Sequence, residues 1–197
     1  KAVIINPRFL KTLDLKNLKC GLGEIVKYAF IEKSCQCYEE FYILNLLNEN
    51  CKQILNYDLK ILTRLIDNCI KLKVSIVEKD EKETNLRRIL NFGHTYGHAI
   101  EKYFNYKYSH GECVVAGIIF AFDLALKNNL IEKNYEYIMQ DLIKKFDFVN
   151  IPKVELKKII SIMKKDKKSS ASLIKFILPV GYTQVKDFDF NEFLTIS

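Results

Sequence analysis

The chain has 197 residues, 49% of them hydrophobic and 28% charged, which is the composition of an ordinary globular protein. It contains only seven glycines and three prolines, so a loop-rich or all-β fold is disfavoured and helices are favoured. The net charge of +7 would suit a nucleic acid and a phosphorylated or carboxylated small molecule equally. However, no basic motif interleaved with aromatic residues supports nucleic-acid binding.

The compartment and the extent of the chain are predicted from three features. The six cysteines form no C-x-x-C motif, which is typical of reduced thiols in a cytoplasmic protein. No apolar run is long enough to span a membrane, and the first residues do not resemble a signal peptide. The segment Ala2–Ile5 is strand-like and follows no initiating methionine, so we expect a chain cut from a longer protein.

Hydrophobic periodicity predicts a mainly α fold with a small β-hairpin near the C-terminus. Apolar residues recur at helical spacing in seven segments, at about residues 24–33, 36–48, 59–80, 87–104, 110–126, 133–146 and 155–164. Residues 173–179 alternate as a strand and, with the turn and residues 183–185 that follow, predict the hairpin. Ser109 and Glu112 have the spacing of a capping box, so His110 is expected at the first position of its helix.

All three histidines fall within one short segment. His94 and His98 are four residues apart, so they lie on one face of the predicted helix, and His110 can fold back towards that face. An isolated pair at this spacing is usually incidental, but three convergent imidazoles suit a metal such as zinc. Zinc often takes two histidines and one carboxylate. Spacing alone leaves three candidate carboxylates: Glu24, Glu101 and Glu112.

Several longer segments resemble the signature motifs of 3-dehydroquinate synthase, a member of the sugar phosphate cyclase superfamily. They are Gly21-Leu-Gly-Glu-Ile-Val-Lys-Tyr28, Leu86-Arg-Arg-Ile-Leu-Asn-Phe-Gly-His-Thr-Tyr-Gly-His-Ala-Ile-Glu101, His110-Gly-Glu-Cys-Val-Val-Ala-Gly117, and Asp166-Lys-Lys168 with Phe176-Ile-Leu-Pro179. They occur in the family's order. The resemblance implies the helical C-terminal domain of a two-domain enzyme. Residues 1–20 would be the tail of the nucleotide-binding domain with a linker, and residues 21–197 the helical zinc- and substrate-binding domain.

The resemblance also implies roles for individual residues. The ligands of zinc, or of cobalt, would be Glu24, His94 and His110. His98 would instead lie beside the substrate and take part in proton transfer. The other substrate-binding residues would be Lys27, Lys73, Arg87, Asn91 and Lys167, with Lys168 as the alternative to Lys167. Of these, Lys27, Arg87 and Asn91 would share the catalytic work with His98, and Asn91 would lie one turn before His94 on the predicted helix. The segment Phe9-Leu10-Lys11-Thr12-Leu13 matches one that touches NAD in the family.

The implied activity is the conversion of 3-deoxy-D-arabino-heptulosonate 7-phosphate into 3-dehydroquinate and phosphate, with NAD recycled in each turnover. This step belongs to the shikimate pathway, which leads to chorismate and the aromatic amino acids. The chain contains no Gly-rich nucleotide-binding segment, so it would need the missing N-terminal NAD-binding domain and would be inactive alone. The resemblance implies a cytoplasmic homodimer with a phosphorylated sugar acid as substrate, and neither a nucleic-acid nor a membrane partner.

Three other functions stay open at this point. The first is another sugar phosphate cyclase, acting on glucose 6-phosphate or sedoheptulose 7-phosphate. The second is a metal-dependent alcohol dehydrogenase of related design, which would release NADH. The third is a helical nucleic-acid or binding module with incidental histidines, which would bind no metal.

Overall fold

The computed structural model describes residues 2–35, 42–166 (backbone only at 164–166) and 174–189. The α-helices are α1 Leu15–Ile31, α2 Ile43–Leu55, α3 Leu59–Lys79, α4 His94–Tyr103, α5 His110–Lys127, α6 Lys133–Lys145 and α7 Leu156–Asp166. Short 3-10 turns cover Pro7–Thr12, Glu32–Cys35 and Leu86–Asn91, and an antiparallel hairpin pairs β1 Lys175–Gly181 with β2 Gln184–Asp189. The predicted fold class, mainly α with a C-terminal hairpin, is confirmed.

Helix α5 occupies the centre of the core and packs against α1, α4, α6 and β1. Its apolar residues extend around most of its circumference, and Val114, Ile118 and Phe122 are almost completely buried. A helix that is apolar on all sides is stable only when other elements surround it. Phe122 packs edge-on against Phe30 of α1, with 5.1 Å between ring centroids. This contact packs α1 directly against α5.

Glycines bring the backbones of α1, α4 and α5 into direct contact. A Cβ on Gly111 of α5 would overlap the carbonyl oxygen of Cys20 in α1, and a Cβ on Gly23 would overlap the backbone of Gly111. On the other side of α5, a Cβ on Gly97 of α4 would lie 2.9 Å from the carbonyl oxygen of Cys113. Larger residues at these positions would force the helices apart. The glycines therefore allow α1, α4 and α5, which carry the candidate site, to pack closely together.

Helix α1 begins at Leu15, whereas the sequence predicted a start near Glu24. The Asp14 side chain caps the helix by accepting a hydrogen bond from the backbone N–H of Asn17 at 2.7 Å. The Gly21-Leu-Gly segment, expected to precede the helix, lies inside it. The proposed domain boundary after residue 20 thus falls within a continuous helix, and the boundary itself stays a prediction.

The helix predicted over residues 87–104 is divided at Gly93. Residues Leu86–Asn91 form a 3-10 turn, and Gly93 has a left-handed φ of 76° that a residue with a Cβ adopts only at a cost. Helix α4 consequently begins at His94. The expectation that Asn91 lies one turn before His94 on the same helix is wrong, because the two residues lie on opposite sides of this break.

Three further expectations differ from the structure. Residues 2–5 form no strand, and Val3 and Ile4 are exposed, because no strand among the described residues pairs with them. Helix α2 covers Ile43–Leu55, later than the predicted residues 36–48, of which 36–41 lie outside the described residues. Within the described part of the chain, no helix combines the length and apolar character needed to cross a membrane.

The hairpin is fixed to the helical core by two side chains. The backbone N–H of Val185 donates to the Ser34 hydroxyl at 2.7 Å, and that of Thr183 donates to the Tyr135 hydroxyl at 2.7 Å. Tyr135 is buried, so its hydroxyl needs such a partner. These two hydrogen bonds hold the hairpin against the helical core.

Candidate metal centre

Three helices bring one carboxylate and two imidazoles to a single point. Oε1 of Glu24, on α1, lies 3.2 Å from Nε2 of His94 at the start of α4 and 3.1 Å from Nε2 of His110 at the start of α5. The two imidazole rings are 5.3 Å apart between centroids. A tetrahedral zinc site with bonds of about 2.0–2.1 Å separates its ligand atoms by about 3.3 Å. The distances from Oε1 of Glu24 to the two Nε2 atoms therefore match the distance between neighbouring ligand atoms of one zinc ion.

The second nitrogen of each of these imidazoles also faces an oxygen. Nδ1 of His94 lies 3.0 Å from the backbone carbonyl oxygen of Phe92, and Nδ1 of His110 lies 2.9 Å from Oε1 of Glu101. A carbonyl oxygen or carboxylate can only accept, so each Nδ1 is the natural position for the hydrogen of a neutral ring. Each Nε2 then presents a lone pair to Glu24.

This arrangement fits a divalent cation. A neutral imidazole carries one N–H, yet both nitrogens of His94 and of His110 face acceptor oxygens. A cation shared by the two Nε2 atoms and Glu24 satisfies all of these groups at once. Histidines that bind metals commonly donate their other N–H to a carboxylate or a backbone carbonyl, which is the pattern seen at both rings.

His98 lies next to this point and offers an alternative set of ligands. Its ring is 5.3 Å from that of His94 and 5.8 Å from that of His110 between centroids, and ligand atoms of the three histidines lie within 4.8 Å of one another. The geometry therefore allows three histidines as well as Glu24 with two. We favour the set with Glu24, because its oxygen is 3.1–3.2 Å from both Nε2 atoms.

Lys27 forms a buried ion pair with the same glutamate. Its Nζ lies 2.6 Å from Oε2 of Glu24, and the residue is only 4% exposed. Burial lowers the pKa of Lys27, and the Glu24 carboxylate offsets part of that effect. Burial alone would raise the pKa of Glu24, but the charge and the hydrogen bond of Lys27 oppose that effect and favour the ionised carboxylate. The carboxylate is thus kept ionised, as a metal ligand must be.

A second lysine lies close to Lys27. Lys73 is an exposed residue of α3, and its positive charge contributes to the lowered pKa of Lys27. Two ammonium groups on neighbouring helices suit an anionic ligand. Lys73 is thus near Lys27, which contacts Glu24, and the binding of substrate by either lysine stays a prediction.

Arg87 and Asn91 lie on the 3-10 turn Leu86–Asn91, which packs against α1. The Arg87 guanidinium donates to the carbonyl oxygen of Glu81 at 2.8 Å, and the Asn91 amide donates to Oε1 of Glu83 at 2.8 Å. Both side chains are thus tied to the loop before the turn. The buried Asp80 carboxylate holds this loop by accepting from the backbone N–H of Arg87 at 2.9 Å. That hydrogen bond and others from the loop lower the pKa of Asp80 to about 2.

The predicted NAD-contacting segment is a surface feature. Phe9, Leu10, Lys11 and Thr12 belong to the 3-10 turn Pro7–Thr12, which packs on α3, and Phe9 is 76% exposed. The carbonyl oxygen of Leu13 accepts a hydrogen bond from the Tyr57 hydroxyl at 2.8 Å. Contact with NAD stays a prediction. Lys167 and Lys168 lie outside the described residues.

The carboxylates left open by the sequence have distinct positions. Glu112 caps its own helix as predicted, by accepting from the backbone N–H of Ser109 at 2.8 Å. Glu101 binds His110 rather than lying at the metal position, and sequence analysis missed this contact. The only sequence signal was that Glu101 follows His94 by two helical turns and thus shares its face.

Comparison with known proteins is consistent with these observations. The pattern of the family described as 3-dehydroquinate synthase C-terminal matches residues 21–169. The 3-dehydroquinate synthase of Alkaliphilus metalliredigens is 38% identical over 189 residues, which cover 95% of this chain and 51% of that protein. The chain thus spans about half the length of the curated relatives it matches.

Two solved structures have the same fold. One is 2-epi-5-epi-valiolone synthase from Streptomyces hygroscopicus subsp. jinggangensis with NAD+ and Zn2+ bound. It has a TM-score of 0.78 and 21% identity over 94% of this chain and 50% of its own. The other is 2-deoxy-scyllo-inosose synthase with carbaglucose-6-phosphate, NAD+ and Co2+, which has a TM-score of 0.75 and 26% identity over 92% of this chain and 50% of its own. Because the family pattern matches most of its residues, this chain belongs to the family of 3-dehydroquinate synthase C-terminal domains.

Proposed function

We propose that the chain is the metal- and substrate-binding half of a 3-dehydroquinate synthase, which converts 3-deoxy-D-arabino-heptulosonate 7-phosphate into 3-dehydroquinate and phosphate. The observation that carries this proposal is the convergence of Glu24, His94 and His110 within the family's motifs. Identity of 38% to curated 3-dehydroquinate synthases supports it. The expected place of this reaction is the shikimate pathway.

Glu24, His94 and His110 would hold zinc, or cobalt as in one structural relative. When bound, zinc supplies Lewis acidity at a substrate hydroxyl, and NAD supplies a hydride acceptor that the reaction regenerates. Lys27 keeps Glu24 ionised through their 2.6 Å ion pair. His98, on the same face of α4, is exposed, so its imidazole can reach a substrate and move protons near neutral pH.

The residues proposed to bind the substrate suit a molecule with a phosphate and a carboxylate. Lys27, which contacts Glu24, and the nearby Lys73 would supply two ammonium groups. Arg87 and Asn91 would add a guanidinium and an amide from the turn that packs against α1, and Lys167 would add a further ammonium. Such donors form charge-assisted hydrogen bonds that fix an anionic sugar in one orientation. Residues from Phe9 to Leu13 would contact NAD.

The complete reaction would need parts that this chain lacks. It spans about half of its curated relatives, and its described residues include no Gly-rich turn between a strand and a helix that would hold NAD. We therefore propose that a separate NAD-binding domain is the partner of this chain and that the complete enzyme is a homodimer.

Turnover of the full-length protein tests the proposal. With Zn2+ and NAD+ present, we expect phosphate release from 3-deoxy-D-arabino-heptulosonate 7-phosphate without net accumulation of NADH. Preferential turnover of glucose 6-phosphate or sedoheptulose 7-phosphate would instead indicate another sugar phosphate cyclase. Stoichiometric NADH release would indicate an alcohol dehydrogenase.

A further inference from the structure

A second carboxylate, that of Glu101, contacts His110 on the side of the ring that faces away from Glu24. Glu101 lies on α4, and its side chain is 13% exposed. Its Oε1 is 2.9 Å from Nδ1 of His110, on the opposite side of that ring from the Nε2 that faces Glu24. The His110 ring thus lies between the two carboxylates, so Glu101 is not itself at the metal position.

The two candidate metal-binding histidines are held in different ways. The His94 side chain is 14% exposed, and its Nδ1 faces the backbone carbonyl of Phe92, which the turn at Gly93 places. The His110 side chain is 42% exposed, so packing restrains it less. The oxygen that faces its Nδ1 belongs to a side chain. On its Nδ1 side, the direction of the His110 ring therefore depends on one side chain, that of Glu101, which can be substituted.

The backbone around His110 does not provide the same restraint. The loop between α4 and α5 contains Asn105 and Tyr106, both with left-handed φ angles of 50° and 58°. The capping box that follows, formed by Ser109 and Glu112, fixes the start of α5 but does not touch the imidazole. A link between α4 and the ring itself is supplied by Glu101.

We propose, on the basis of the metal site proposed above, that Glu101 is a positioning residue for His110. By accepting the Nδ1–H hydrogen bond, it fixes the hydrogen on Nδ1 and turns the Nε2 lone pair towards Glu24 and the metal. Glu101 thereby determines how tightly the protein holds its metal, although it does not bind the metal. Outer carboxylates of this kind typically change metal affinity by about 10- to 100-fold.

The test compares zinc affinity in full-length protein carrying Glu101→Ala, Glu101→Gln or, as a control, Glu78→Ala at an exposed position of α3. Affinity is measured at one pH by competition with a chromophoric chelator. The visible absorption spectrum of the Co2+-loaded protein reports the ligand geometry. We expect Glu101→Ala to weaken zinc binding about 10- to 100-fold and to alter the Co2+ spectrum. Glu101→Gln retains an acceptor oxygen and should lose less, and Glu78→Ala should match the wild type.

The melting temperature of each metal-free variant separates positioning from a general structural role. Unchanged metal-free stability with weakened zinc binding supports the positioning role. Wild-type affinity and spectrum in Glu101→Ala, in a protein whose Glu24→Ala variant loses zinc, would overturn the role of Glu101 alone. A wild-type protein that binds no zinc would overturn the metal site and the role of Glu101 together.

Discussion

The backbone of Gly111 in α5 packs directly against the carbonyl oxygen of Cys20 in α1, so a Cβ added to Gly111 would overlap that oxygen. Gly111 directly follows His110, the first residue of α5. Cys20 lies one helical turn before Glu24 on α1. The separation of the two helices therefore sets the distance between a proposed metal ligand on each of them.

Replacement of Gly111 by alanine should disturb both stability and metal binding. The added methyl group overlaps backbone rather than a flexible side chain, so we expect a loss of about 1–3 kcal/mol in the free energy of unfolding and weaker zinc binding. Urea unfolding and zinc titration measure the two effects. Gly21→Ala is the matched control, because a Cβ there meets nothing within 4 Å and alanine favours a helix by about 1 kcal/mol. Equal behaviour of the two variants would contradict the packing argument.

Substitution of His98 should separate metal binding from catalysis. If His98 moves protons and is not a zinc ligand, His98→Ala in the full-length enzyme should keep about one zinc per chain. Its kcat should fall by about 10²- to 10⁴-fold. Metal content and steady-state kinetics on the same preparation give both values. Loss of zinc from His98→Ala would instead favour the set of three histidines.

The Asp80 carboxylate should make stability depend on pH in the acid range. Hydrogen bonds in the folded loop lower its pKa from 3.8 to about 2, so the folded protein favours the ionised form. This stabilisation is fully present above the unfolded pKa and is lost as the pH falls from about 4 through about 2. The free energy of unfolding of Asp80→Ala should therefore change less with pH over this range than that of the wild type. Asp67→Ala, at an exposed position of α3, should keep the wild-type dependence.

The 197-residue chain alone should have no synthase activity. Its relatives are about twice as long, and the proposed NAD-binding domain is not part of it. Mixing the chain with the separately produced remaining half of the protein should restore phosphate release in the presence of Zn2+ and NAD+. Robust turnover by the isolated chain would contradict this division of labour.

The sequence predicted an element correctly where a single strong local pattern, such as a long amphipathic repeat or a capping box, determines its structure. The long amphipathic pattern of α3 and the capping box at Ser109 both have the predicted structure. The starts of α1 and α4 were placed wrongly because both depend on glycine. Gly21 and Gly23 lie inside a helix that tertiary contacts stabilise, whereas Gly93 ends a turn with a left-handed φ. Glycine thus continues a helix in one place and interrupts a helical pattern in the other, and the local sequence alone does not show which will occur.

The candidate site was predictable only in part for a related reason. The spacing of His94 and His98 shows that they share a helix face. The proximity of Glu24 to both His94 and His110 depends on how three helices pack, and spacing left it open among several carboxylates. The contact of Glu101 with His110 joins two helices across a loop. It follows from the positions of their backbones rather than from any motif.

The metal content of the purified protein, measured by element-resolved analysis after zinc is supplied, tests the central claim most directly. The proposed ligand set predicts about one zinc per chain in the wild type and in His98→Ala, and loss of zinc in Glu24→Ala and His110→Ala. Retention of zinc in Glu24→Ala, or a wild-type protein without metal, would contradict the assignment of Glu24, His94 and His110 as the metal centre.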